Sequence, residues 1–121
     1  MDAEVTIIGA GVIGLAVSAA LSGCKGPVFV IERNRTFGQE SSSRNSEVIH
    51  SGIYYPYGSI KGKLCLEGKE KIYAYCNKND IPYRKCGKLI IATKSSEEPQ
   101  LLEILKRSRS NGVTDGRIIE Q

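Results

Sequence analysis

The junction between EVTII (4–8) and GAGVIG (9–14) limits the fold more than any other feature of the chain. A short β-branched run that stops abruptly at glycine suits a buried parallel strand better than a half-exposed one. GVIGLAVSAALS (11–22) is apolar or small around most of a helical wheel, as in a helix packed closely on a sheet. The stretch from Gly23 to Pro27 breaks that helix, and VFVI (28–31) is a second continuous apolar strand. Strand, glycine turn, helix and strand within some thirty residues make a βαβ unit, and so an α/β protein.

Gly9, Gly11 and Gly14 stand in G-x-G-x-x-G spacing at the turn. The first permits the tight exit from the strand, the second lets a pyrophosphate approach the backbone, and the third lets helix and strand pack closely. The helix N-terminus then offers unpaired N–H groups and partial positive charge to phosphates. Glu32, 18 residues after Gly14 at the end of the second strand, is placed to accept hydrogen bonds from adenosine ribose hydroxyls. Its charge argues against a ribose 2′-phosphate, an objection softened by the neighbouring Arg33. On these residues alone NAD and FAD are both compatible.

Beyond Arg33 the chain does not continue into the helix and third strand of a simple nicotinamide domain. Residues 34–45 are polar, with Gly38 and the serines 41–43, and show neither helical nor strand periodicity. A loop of this length and donor content is more than a connector. It runs into EVIHSGIYY (47–55), which carries the sole histidine, His50. Ser59 is the expected N-cap of a helix in which Ile60, Leu64, Gly68, Ile72 and Cys76 recur every fourth residue, predicting one buried face and a lysine-rich outer face. Lys61 and Lys63 belong to that solvated face, and Asn79 and Pro82 close the helix. GKLIIAT (87–93) reads as a strand. Ser95 to Glu98 match the S-x-x-E capping box of a helix carrying Leu101, Leu102, Ile104 and Leu105, which Gly112 ends. RIIEQ (117–121) reads as the start of a further strand.

Composition narrows the function classes. The net charge of +4 is spread along the chain rather than blocked, which argues against a nucleic-acid partner. Cys24, Cys65, Cys76 and Cys86 are too irregularly spaced for a zinc or iron–sulfur signature, so no metal site is expected. They read as reduced, packed cysteines. No stretch approaches the roughly 20 apolar residues of a membrane span, and no signal-peptide pattern opens the chain. A cytoplasmic protein is expected.

The runs ERNRTFGQESSSRNSEVIHSGIYYPYGSIKGKLCLEG (32–68) and PYRKCGKLIIAT (82–93) resemble the L-2-hydroxyglutarate dehydrogenase/oxidase group of FAD-dependent oxidoreductases, within the D-amino-acid oxidase superfamily. The resemblance spans essentially the whole chain but only the N-terminal part of such proteins. It implies an incomplete Rossmann-like FAD-binding βαβ unit within residues 1–80, followed by the beginning of a mixed α+β substrate domain in 81–121. It implies FAD as cofactor, with Gly9, Gly11 and Gly14 at the pyrophosphate and Glu32, beside Arg33, at the adenosine ribose. Ser42, Ser43, Arg44, Asn45 and Ser46 would run along the cofactor, and His50 and Gly52 would lie near the isoalloxazine. The implied partners are a small 2-hydroxy acid substrate and an unidentified electron acceptor, with peripheral membrane contact of a longer protein left open.

His50 has three readings: the base that takes the hydroxyl proton, a group that positions or tunes the flavin, or a structural histidine. Arg44 suits a cofactor phosphate, a substrate carboxylate or plain solvation. Tyr54 and Tyr55 suit a pocket lining or the core. Gly62 departs from the alanine usual in the family, at roughly 0.5–1 kcal/mol of helix stability. Alternatives are glycerol 3-phosphate or an amino acid as substrate on the same scaffold, a non-catalytic dinucleotide-binding module, or an inactive fragment.

Overall fold

β1 (Val5–Ile8) and β2 (Val28–Ile31) pair in parallel, with Val5 opposite Val28 and Ile8 opposite Ile31. The computed structural model describes residues 4–23 and 26–119. Cys24 and the end of the expected RIIEQ strand lie outside them. α1 (Val12–Leu21) connects the two strands, so the expected βαβ unit is present with its bounds nearly as read. The ladder extends one residue past β1, where the Gly9 N–H donates to the Ile31 carbonyl at 2.8 Å. Gly9 turns there with φ +96°, a conformation that disfavours any side chain.

The third glycine performs its expected task. A Cβ on Gly14 would stand 1.9 Å from the Gly9 carbonyl oxygen, so only glycine allows this approach of α1 to the turn. Burial elsewhere in the unit departs from the expectation of strands covered on both faces. Ile8 is 87% exposed and Ile13 77%, and α1 has no fully buried residue. Among the described residues the strands form a two-stranded sheet, and Phe29, Val30 and Ile31 of β2 are exposed as well.

The chain divides into two compact units, Met1–Val48 and Ile49–Gln121. The second holds α2 (Ile60–Lys78) and α3 (Glu98–Ser110). Ser59 caps α2 as expected, its hydroxyl accepting the Gly62 N–H at 3.2 Å. Gly62 is buried, and a Cβ on it would meet Ser59 Oγ at 3.1 Å and Tyr55 Cβ at 3.4 Å. Close approach thus favours glycine here, against its weak helix propensity. The buried face expected of α2 is not realised: only Gly62 and Cys76 are buried, while Ile60, Leu64 and Ile72 are exposed. Helical spacing sets which residues share a face, but only a packed partner removes that face from water.

Three further expectations are corrected. GKLIIAT is not a strand: it joins no ladder among the described residues, and Leu89 and Ile91 are exposed. A β-branched run becomes a strand only against a partner edge. Arg117–Ile119 form no strand for the same reason. The S-x-x-E box is not made either. Ser95–Glu97 form a 3-10 turn, and α3 starts after Glu97 with Pro99 in its first turn. It is Glu97, not Glu98, whose carboxylate reaches back, accepting the N–H of Thr93 at 2.8 Å. That hydrogen bond holds the Glu97 carboxyl below its ordinary value.

α3 ends as expected at Gly112, φ +88°. The Val113 N–H donates to Ser108 O and the Gly112 N–H to Arg109 O, both at 2.9 Å, which is a Schellman closure. Ser108 and Val113 are buried there. Cys65, Cys76 and Cys86 are free thiols; Cys76 is buried but Cys86 is exposed, contrary to the expected packing. Among the described residues no helix is long and apolar enough to cross a membrane.

Candidate dinucleotide site

The glycine turn and the loop after β2 meet in a cleft of about 510 Å³ within the first unit. Gly9 and Gly11 line it on one side, Glu32, Arg33 and Asn34 at the strand end, and Gln39 to Ser42 on the other. The centre of the arrangement is Ala10, which is 5% exposed. Its N–H donates to Glu32 Oε2 at 2.7 Å, and its carbonyl accepts the Gly38 N–H at 2.9 Å.

Glu32 accepts two more hydrogen bonds at Oε1, from the Asn34 N–H at 2.8 Å and from Asn34 Nδ2 at 3.0 Å. The Asn34 and Ala10 N–H groups hold its carboxyl below the ordinary range, so it is anionic at neutral pH. A carboxylate offers about four lone-pair sites, which leaves one for a further donor such as a ribose hydroxyl.

Arg33 ion-pairs with Glu40, and Asn34 Nδ2 also reaches Glu40 Oε1 at 3.4 Å. The Arg33 guanidinium holds the Glu40 carboxyl down, and Glu40 in turn holds the arginine's proton on more tightly. Engaged in this way, Arg33 is not a free cation awaiting a 2′-phosphate. The pair is exposed and adds little stability by itself. Glu40 adopts φ +60°, unusual for a residue with a side chain, at the start of the 3-10 turn Glu40–Ser43.

That turn delivers Ser42. Gly11, the N-cap of α1, has no side chain to cap the helix, and no acidic residue stands in its first turn. The Ser42 hydroxyl accepts the Val12 N–H at 2.9 Å in its place. It lies only 3.1 Å from where a Cβ on Gly11 would be. Loop and helix N-terminus are therefore in direct contact, and a phosphate oxygen suits the same donors.

The remaining candidates distribute unevenly. Ser43 Oγ donates to the Glu40 carbonyl at 3.0 Å and Asn45 Nδ2 to the Ser42 carbonyl at 2.8 Å, so both shape the loop from within. Arg44 and Ser46 are exposed and do not line the cleft. His50 and Gly52 belong to the second unit, where His50 is exposed and Gly52 is buried with φ +83°. Tyr54 and Tyr55 lie beneath lysines, Lys88 at 4.6 Å and Lys61 at 4.8 Å from the ring centres, so Lys61 is more than a solvated charge. Sequence reasoning missed Ala10, Asn34 and Glu40. For Asn34 the only signal was a carboxamide two residues beyond the strand-end carboxylate, a spacing that allows a local side-chain to backbone bond.

The residues fit FAD at three points: a glycine turn with open backbone, a helix N-terminus lined by hydroxyl rather than carboxylate, and a strand-end glutamate with acceptor capacity to spare. Comparison with known proteins agrees. Residues 4–121 match the family described as FAD dependent oxidoreductase (DAO). The chain is 46% identical over 117 residues to the protein named L-2-hydroxyglutarate dehydrogenase, mitochondrial, of Arabidopsis thaliana, covering 97% of this chain and 24% of the relative. It is 44% identical to the Mus musculus protein of that name, covering 94% and 25%, and 39% identical to the Homo sapiens one, covering 98% and 26%. The chain thus spans about a quarter of the length of these curated relatives. It belongs to the DAO family of FAD-dependent oxidoreductases.

Proposed function

We propose that residues 1–80 supply the N-terminal part of the FAD-binding domain, and residues 81–121 the beginning of the substrate domain, of an oxidoreductase acting on a 2-hydroxy acid. L-2-hydroxyglutarate, oxidised to 2-oxoglutarate, is the substrate of choice, because relatives at 39–46% identity carry its dehydrogenase in their names. The observation that carries the cofactor assignment is the Ala10–Glu32 hydrogen bond, which sets a carboxylate at the rim of the glycine turn.

In this reading Gly9, Gly11 and Gly14 leave room for the pyrophosphate, and the Ser42 hydroxyl, held by the Val12 N–H, donates its own proton to a phosphate oxygen. Glu32 accepts from the ribose, with Arg33 held by Glu40 beside it. Ser43 and Asn45 keep the loop in shape, and Arg44 and Ser46 present charge and hydroxyl along the cofactor's path. When bound, FAD would supply the hydride-accepting chemistry that oxidation of a carbinol carbon requires. The chain's own contribution is His50, whose imidazole takes the hydroxyl proton. The electron acceptor that reoxidises the cofactor is left unassigned.

Two measurements test this reading. Titrating FAD with the chain should quench flavin fluorescence, and glutamine at Glu32 should weaken the effect. In a longer protein containing this chain, L-2-hydroxyglutarate should reduce an artificial electron acceptor, with glycerol 3-phosphate and amino acids inactive. Turnover of one of those instead would move the substrate assignment. One observation favours a second reading, a dinucleotide-binding module without catalysis: every cleft residue belongs to the first unit. Tight FAD binding without turnover in that longer protein would select it. For location we propose the cytoplasm, on the free thiols of Cys65, Cys76 and Cys86. The relatives' names say mitochondrial, and cell fractionation decides.

A further inference from the structure

We propose that Asn111 is a positioning residue for the His50 imidazole. Its carboxamide Nδ2 donates to two backbone carbonyls, Tyr55 O at 2.8 Å and Gly52 O at 3.1 Å. These partners lie 56 and 59 residues away in sequence. The two carbonyls bracket a tight turn, since the Tyr55 N–H donates to Gly52 O at 3.4 Å. One side chain therefore holds both ends of the turn that begins two residues after His50.

The clasp is fixed at each end. Asn111 is the C-cap of α3, and the Schellman closure through Gly112 and Val113 sets its backbone. At the other end Gly52 is buried in the left-handed conformation. A Cβ there would stand at contact distance from Gly62 O, Leu66 Cγ and Cys65 Cβ of α2, at 3.5, 3.6 and 3.7 Å. Leu66 also lies against Gly112, 3.7 Å from where its Cβ would be. The turn thus sits against α2 and is tied to the end of α3. His50, itself exposed, takes its place from this anchored segment.

A carboxamide suits the task because it offers two donors in one plane, one for each carbonyl. Without it two part-buried carbonyls lose a donor each, and among the described hydrogen bonds the long Tyr55–Gly52 bond is left to close the turn. The relevance of the clasp to catalysis rests on the reading of His50 given above; its effect on His50 placement does not.

The test uses NMR on the chain, where the sole histidine gives one unambiguous ring signal. In the unaltered chain the two Asn111 side-chain amide protons should exchange with solvent more slowly than those of the exposed Asn77, whose carboxamide is engaged only through its oxygen among the described residues. Exchange at the rate of an exposed carboxamide would overturn the proposal without any variant. Asn111→Ala fits the backbone, φ −82° and ψ 0°, without strain. It should speed exchange of the Tyr55 amide by about tenfold and shift the His50 ring signal, leaving Ile7 and Ala10 of the first unit unchanged. Asn111→Asp keeps the volume and removes both donors, so it should speed Tyr55 exchange to the same extent. Retained protection in either variant, or an unmoved His50 signal in Asn111→Ala, would overturn it. FAD is added as a separate arm. A His50 signal unmoved by FAD in the unaltered chain, while Ala10 responds, would sink the flavin-side reading of His50 and leave the exchange results to judge Asn111.

Discussion

The Ala10 N–H meets Glu32 Oε2 at 2.7 Å across 22 residues of sequence, joining the glycine turn to the end of the second strand. A carboxylate usually assigned to the ribose is here also a backbone anchor. Glu32→Gln keeps the shape but replaces one acceptor with a donor, which then faces an N–H. FAD affinity should fall by about tenfold while the far-UV circular dichroism is unchanged. Fluorescence quenching titration measures the affinity, and an unchanged Kd would remove Glu32 from the site.

Gly11 and Gly14 should respond differently to alanine. At Gly14 the new Cβ meets the Gly9 carbonyl at 1.9 Å, a backbone atom that cannot step aside. Overpacking of this kind costs about 1–3 kcal/mol, readable in urea unfolding. At Gly11 the neighbour is the tip of the Ser42 side chain at 3.1 Å, which needs to give by only a few tenths of an ångström and can keep its bond to the Val12 N–H. Gly11→Ala should therefore leave the unfolding midpoint nearly unchanged and weaken FAD binding, because it blocks the backbone approach. Equal loss of stability in both variants would contradict the geometry.

Glu32 and Glu40 both carry carboxyls held below the usual glutamate value of 4.5. A lowered folded value means that ionisation favours the folded arrangement. Their contribution is fully present above about pH 4.5 and is lost as pH falls through the lowered folded values. The amide resonances of Ala10 and Asn34 should follow this titration, with midpoints below 4.5. A midpoint above that value would mean that neither N–H binds the carboxylate.

Ser59→Ala removes the hydroxyl that accepts the Gly62 N–H. Loss of such a cap costs about 1 kcal/mol, and the urea midpoint of the chain should drop accordingly. Ser59→Asp should retain most of the stability, since its side chain accepts the same N–H.

The βαβ unit is legible in the sequence because each of its bounds is a local chemical event: a glycine that must turn, and a second apolar run. The cap at Ser59 and the stop at Gly112 are legible for the same reason. Residues 87–93 mislead because a strand is a relation between two segments, and the run itself carries no information about its partner. Burial of α2 and β1 fails likewise, since periodicity names a face without supplying its cover. Within the cleft, the glycines and Glu32 have a fixed spacing, whereas Asn34 and Glu40, like Asn111 in the second unit, are ordinary polar residues whose partners are chosen by the folded loop.

The backbone of Ala10, its N–H held by Glu32 and its carbonyl by Gly38, works like a rivet through two plates. In the proposed reading of the site, the strand end, at the adenosine, and the loop, at the diphosphate, cannot shift independently around it. Losses at Glu32 and at Ser42 should then not add: in a double-mutant cycle the second substitution finds much of the site already slack. On that reading, recognition of the two halves of the cofactor becomes one cooperative event, set by a buried alanine that contributes no side-chain chemistry.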